Sequence, residues 1–115
     1  MHYMLLVLEP VGQRAARDEP AGRDAYARMS AYAARLKERG VLVRADALTS
    51  AAQRLRGAGE RAQLFDGPFT ESKELIGGYF LLECATRAQA LALARECPAL
   101  EWATIEVREI GTCYQ

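Results

Sequence analysis

The chain has 115 residues, half of them hydrophobic and 26% charged, which suits one globular core and excludes a disordered chain or two separate domains. Fifteen Lys and Arg balance fifteen Asp and Glu, so no net field draws nucleic acid or anionic lipid to it. The three cysteines, Cys84, Cys97 and Cys113, form no CxxC and leave an odd thiol, which argues against a disulfide framework and a zinc site.

His2 to Leu8 is a continuous apolar run bounded by Pro10 and Gly12, and it predicts a buried strand. Its stretch from Met4 to Leu8 follows no basic segment and is too short for a signal peptide or a membrane span, which points to the cytoplasm. Residues 11–23 are small, polar and interrupted by Gly and Pro, so a loop is expected. From Asp24 to Arg39 the spacing becomes helical: Ala25, Met29, Tyr32 or Ala33, and Leu36 recur every three or four residues. Asp24 is placed to cap the start of this helix and Gly40 to close its end.

Val41-Leu42-Val43 opens a second strand running toward Leu48. Thr49 to Glu60 alternates weakly around Gly57 and Gly59, as short hairpin strands do, and Ala62 to Phe65 is the return strand. Gly78 to Cys84 predicts a further strand. Thr86-x-x-Gln89 is a capping box that starts a second helix, which Pro98 stops. Ala103, Ile105 and Val107 alternate with Thr104, Glu106 and Arg108 as a half-buried strand does. The whole chain, residues 1–115, therefore reads as one α+β domain. Its architecture is a ferredoxin-like βαββαβ sheet with an extra hairpin and both helices on one face.

That architecture leaves a face to account for. In the first strand Tyr3, Leu5 and Val7 oppose Met4, Leu6 and Leu8, and in Gly78–Cys84 both registers are again apolar. Leaving the second register in water costs about 25 cal/mol per Å² of apolar surface, and no further segment is available to cover it. A second copy of the chain, sheet against sheet across a two-fold axis, is the expected partner.

The chemistry gathers at Leu64 to Glu74, where Asp66-Gly67-Pro68-Phe69 ends a strand in a tight turn. Asp66, Glu71, Lys73 and Glu74 place four ionisable groups within nine residues at a strand end, where loops commonly carry sites. Asp66, flanked by Phe65 and Phe69, is the first candidate for an acid–base carboxylate, since burial raises a carboxyl pKa. Lys73 is its candidate charge partner, and Glu71 and Glu74 are secondary candidates. The same residues serve equally well as a well-made turn.

Asp66-Gly67-Pro68-Phe69 followed by Glu71, Lys73-Glu74 and Gly77-Gly78-Tyr79 resembles the DGPF family, a branch of the YCII-related proteins. The likeness extends from Tyr3-Met4-Leu5-Leu6 to Cys97-Pro98 and Glu106-Val107-Arg108. The resemblance implies a dimeric α+β barrel on a ferredoxin-like fold. Many YCII-related proteins carry a His and an Asp suited to acid–base work, and the DGPF branch occurs fused to or encoded beside sigma factors. Here the only histidine is His2, and the first helix reads Asp24-Ala25-Tyr26-Ala27-Arg28, so that dyad does not carry over.

The expected function is therefore binding or transformation of a small molecule in a cavity at the sheet or the dimer interface. The alternative is a regulatory partner of a sigma factor. Phe69, Tyr79, Glu106 and Arg108 are the candidate ligand contacts, with Glu106 and Arg108 sharing the face opposite the helices. Arg44 and Asp46 invite the same two readings, a cavity lining or an intersubunit ion pair. His2, at the start of the first strand, and Trp102, before the last, are weaker candidates. Neither a metal-ligand spacing, a P-loop nor GxGxxG is present, so no metal or cofactor is expected.

Overall fold

The computed structural model describes residues 1–67 and 72–114. In chain order the elements are β1 (His2–Pro10), α1 (Gln13–Ala16), α2 (Glu19–Glu38), β2 (Leu42–Ala47), β3 (Gln53–Arg56), β4 (Gln63–Asp66), β5 (Glu74–Glu83), α3 (Arg87–Ala94) and β6 (Thr104–Glu109), with short 3-10 turns before β4 and β6. The four long strands form one sheet in the order β2-β5-β1-β6, every neighbouring pair antiparallel. This is the ferredoxin-like arrangement, with β3 and β4 inserted as a separate two-stranded hairpin.

Parity along β1 decides what goes inside. Tyr3, Leu5 and Val7 stand opposite Leu82, Phe80 and Gly78 of β5, on the face the helices cover. There they pack with Tyr32 and Leu36 of α2 and with Ala90, Leu93 and Ala94 of α3. Tyr32 meets Phe80 edge to face at 5.1 Å, and its hydroxyl donates to the Leu93 carbonyl at 2.6 Å. That bond satisfies the one polar atom of the ring, and burial pushes the phenol pKa well up. Burial likewise raises the Cys97 thiol, as expected of a core cysteine.

The expected start of the long helix is corrected. It begins five residues earlier than Asp24, at Glu19, where the Asp18 carboxylate accepts from the Ala21 amide at 2.9 Å. Pro20, which reads as a loop residue, sits in the first turn, where its missing N–H costs nothing. A further short helix, α1, lies in the segment expected to be loop. At the other end the reading holds: Gly40 has φ +74°, its amide donates to Lys37 O, and the Val41 amide donates to Leu36 O. These are the two bonds of a Schellman close. The Thr86 hydroxyl accepts from Gln89 N at 3.1 Å, while the Gln89 side chain accepts from Ala85 N, one residue before the expected amide.

The opposite face of the sheet is bare within one chain. Met4, Leu6, Leu8, Tyr79 and Leu81 are half-buried there, and Leu6 and Met4 stand opposite Glu106 and Arg108. The molecule measures 45 × 42 × 19 Å, the thickness of one sheet and one layer of helices. Among the described residues no helix is long and apolar enough to cross a membrane.

Candidate functional site

A cleft of about 710 Å³ lies between α2 and the β2–β5–β1 part of the sheet. It exists because small residues meet there: Gly22, Ala25 and Ala33 on the helix, Ala45, Ala47 and Gly78 on the strands. Phe80, Val7, Met29, Tyr26 and Trp102 supply apolar and aromatic wall. The volume suits a small molecule, and an apolar wall with a few polar groups is how such sites are usually built.

Its polar group comes from β1. Glu9 continues the inward parity of Leu5 and Val7, and only 5% of it is exposed. A bare buried carboxylate would be costly, and Arg14 of α1 removes that cost. Arg14 Nε lies 2.7 Å from Glu9 Oε1, and its NH2 contacts Glu9 Oε2 at 3.4 Å. The guanidinium is itself held, donating to Gly77 O at 2.9 Å and Leu48 O at 2.5 Å.

The sheet makes room for this pair by a bulge. Val7 pairs with Gly78 but Leu8 pairs with Ile76, so Gly77 is the extra residue of β5. A Cβ on Gly77 would come within 2.3 Å of Glu9 Oε2 and 2.9 Å of Arg14 NH2. Glycine at 77 is thus what lets the carboxylate occupy its position.

At the mouth, Arg17 donates to Gln13 Oε1 at 3.0 Å and lies 5.5 Å from the centre of the Trp102 ring. Arg28 lies 5.3 Å from that ring while paired with Glu101 at 2.7 Å. Arg23 is paired with Glu19 one turn earlier on α2.

The residues singled out in the sequence are spread over the molecule. Asp66 is exposed at the end of the β3–β4 hairpin, where its Oδ1 accepts from Gln53 Nε2 at 3.3 Å, outside the cleft. Lys73 and Glu74 are exposed at the start of β5, and Glu74 borders a smaller depression of about 420 Å³ with Leu8, Leu48 and Ile76. Glu71 and Phe69 lie outside the described residues. Glu106 and Arg108 are exposed on the bare face of the sheet.

Tyr79 and Asp46, neighbours across β5 and β2, form a cluster of their own on the bare face of the sheet. The Tyr79 hydroxyl donates to Asp46 Oδ2 at 2.5 Å, and Arg44 Nε reaches the same oxygen at 2.7 Å. The tyrosine hydrogen bond, then Arg44, holds the Asp46 pKa below its usual range, while the bond to Asp46 raises that of Tyr79. His2 pairs with Glu83 at 2.9 Å at the far end of β1. Among the described residues no group of three His, Cys, Asp or Glu could hold a metal ion.

The sequence reading missed Glu9 and Arg14. One signal was present: Glu9 has the odd parity of Tyr3, Leu5 and Val7, so a strand extended by two residues turns it inward.

The family model for the YCII-related domain matches residues 1–112. The chain is a YCII-related protein. An uncharacterised protein of Rhizobium meliloti (strain 1021) is 42% identical over 48 residues, which span 42% of this chain and 39% of that protein. Among solved structures, a 5-chloro-2-hydroxyhydroquinone dehydrochlorinase from Burkholderia phenoliruptrix AC1100, in complex with 2,5-dihydroxybenzoquinone, superposes with a TM-score of 0.59. That alignment covers 96% of this YCII-related chain and 94% of the other, at 15% identity, and speaks for a shared fold.

Proposed function

We propose that this YCII-related chain binds, and acts on, a small molecule in the cleft between α2 and the sheet. The observation that carries the reading is a carboxylate, Glu9, held almost wholly buried beside Arg14 at one end of a cleft of about 710 Å³ that has apolar and aromatic walls. A fixed carboxylate beside a fixed guanidinium can orient a ligand, and can give or take a proton once a ligand excludes water. The neighbour of similar fold is a dehydrochlorinase described with a quinone, and small-molecule chemistry on this fold is in keeping with that. A sigma-factor surface would call for an exposed patch and no cleft, so the cleft favours the small-molecule reading. Asp66, Lys73, Glu71 and Glu74 stay with the alternative that the hairpin turn carries chemistry of its own.

The accompanying proposal is that a second copy covers the bare sheet face, forming the dimeric α+β barrel. Met4, Leu6, Leu8 and Leu81 would be buried between the sheets, and Glu106 and Arg108 would meet the partner.

A thermal-shift screen of small aromatic and aliphatic metabolites tests the binding reading. A ligand at 100 times its Kd stabilises the chain by about 2.7 kcal/mol. The shift should vanish in Ala33→Phe, which fills the cleft. A shift that survives that substitution would contradict the cleft as the site.

A further inference from the structure

The two oxygens of the Glu9 carboxylate are not equivalent. Oε1 has a short bond from Arg14 Nε at 2.7 Å, whereas Oε2 has only the 3.4 Å contact from Arg14 NH2. A hydrogen bond to a carboxylate normally spans about 2.7–2.9 Å, so Oε2 is an acceptor with little of its capacity used. Glu9 is 5% exposed, so water supplies little of what is missing. An ionised carboxylate accepts and does not donate, so the complement it lacks is a hydrogen-bond donor.

The charge of the cleft points the same way. Three carboxylates border it on the helix side (Glu9, Asp18 and Glu19) against three guanidiniums (Arg14, Arg17 and Arg23), while the Asp46 side chain lies on the other face with Tyr79 and Arg44. Arg14 and Arg23 are each engaged by a carboxylate, and Arg17 by Gln13 and the Trp102 ring. An anionic ligand would therefore have to displace an existing partner from any guanidinium it used. The walls limit the remainder of the ligand: Phe80, Tyr26 and Trp102 with Met29 and Val7 fit an apolar, flat body.

We propose that the cleft selects an uncharged flat molecule whose hydroxyl or amino hydrogen is donated to Glu9 Oε2, with Arg14 as the positioning residue that holds that oxygen in place. The inference rests on the proposed cleft as the binding site and adds the ligand class. Gly77 belongs to the same device, since a side chain there would take the space of Oε2.

Trp102 is the only tryptophan of the chain and borders the cleft, so its fluorescence reports occupancy directly. Phenol, anisole and benzoate should be titrated against the intact protein. The three share one ring and differ in carrying a donor, a methylated oxygen or an anionic group. Phenol should change Trp102 emission saturably, with anisole weaker by about tenfold, the worth of a hydrogen bond to a charged group. Benzoate should be weaker than phenol. In Glu9→Gln, with its fold checked by circular dichroism, the phenol preference over anisole should drop to about threefold or less, as a neutral acceptor is roughly half as strong. Equal affinity for phenol and anisole, tighter binding of benzoate, or an unchanged preference in Glu9→Gln would overturn the assignment of ligand class while leaving the cleft as the site. Failure of all three probes to bind would overturn the cleft reading and this inference with it.

Discussion

Glu9 and Arg14 are five residues apart in sequence, on different elements, and meet at 2.7 Å under a bulge that only Gly77 accommodates. The contact ties the end of β1 to α1, and through the Leu48 and Gly77 carbonyls it reaches the end of β2 and the start of β5. One guanidinium thus fixes the walls of the cleft and the carboxylate inside it.

Arg14→Leu leaves the Glu9 carboxylate buried without its partner. Unfolding in urea should show a loss of about 3 kcal/mol, the low end for a broken buried pair because Arg14 keeps part of its side chain in water. Glu9→Leu combined with Arg14→Leu should recover much of that loss, since the uncompensated charge is then gone. A double variant whose loss equals the sum of the losses in Arg14→Leu and Glu9→Leu would show that the two side chains act independently.

Gly77→Ala places a methyl where Glu9 Oε2 sits, and the carboxylate cannot swing aside without leaving Arg14. A destabilisation of about 1–3 kcal/mol is expected, as for overpacking of a filled interior. Gly78→Ala meets the Asp46 carbonyl at 2.9 Å and tests sheet spacing at the floor of the same cleft.

Acid and base should each destabilise the fold, for different reasons. Glu96, Glu101 and Asp46 have pKa values lowered chiefly by hydrogen bonds, from Arg39, from Arg28, and from Tyr79 and Arg44. Each contributes stability that is present above its unfolded value, 4.5 or 3.8, and is lost as pH falls through the lower folded value. Cys97 and Tyr32 are raised by burial, so their contribution is complete below 9.0 and 10.0 and is lost as pH rises through the folded values. A melting temperature measured from pH 2 to pH 11 should therefore show a plateau from about 5 to 8 and fall on both sides. A profile still rising at the acid end would contradict these pairs.

Light scattering of the purified chain at micromolar concentration should give twice the chain mass. Leu6→Lys, at the centre of the bare face, should halve it and leave the circular dichroism unchanged. A monomer before substitution would remove the second copy from the account.

The fold was legible because its signals are local. Alternation in β1 separates Tyr3, Leu5 and Val7 from Met4, Leu6 and Leu8, and the structure puts these sets on opposite faces as read. Gly40 announces the end of α2 because a positive φ suits few other residues. The start of α2 was hidden by Pro20 and Gly22, which look like loop until Asp18 is seen capping the first turn. The cleft was the least legible part. Its carboxylate follows an apolar run that Pro10 ends, its arginine lies in a stretch that reads as loop, and a bulge brings them together, which no spacing in β1 alone encodes. The turn at Asp66 draws the eye by its composition, yet the hairpin carries it away from the cleft.

The central claim is that small molecules bind beside Glu9 and not at the Asp66 turn. Amide and indole resonances of the isotopically labelled protein, followed by NMR through a phenol titration, separate the two. The account predicts that Glu9, Gly22, Ala25, Gly77 and the Trp102 indole shift together and saturate with one dissociation constant. Shifts concentrated at Gln53, Asp66 and Lys73, with the cleft resonances unmoved, would contradict it.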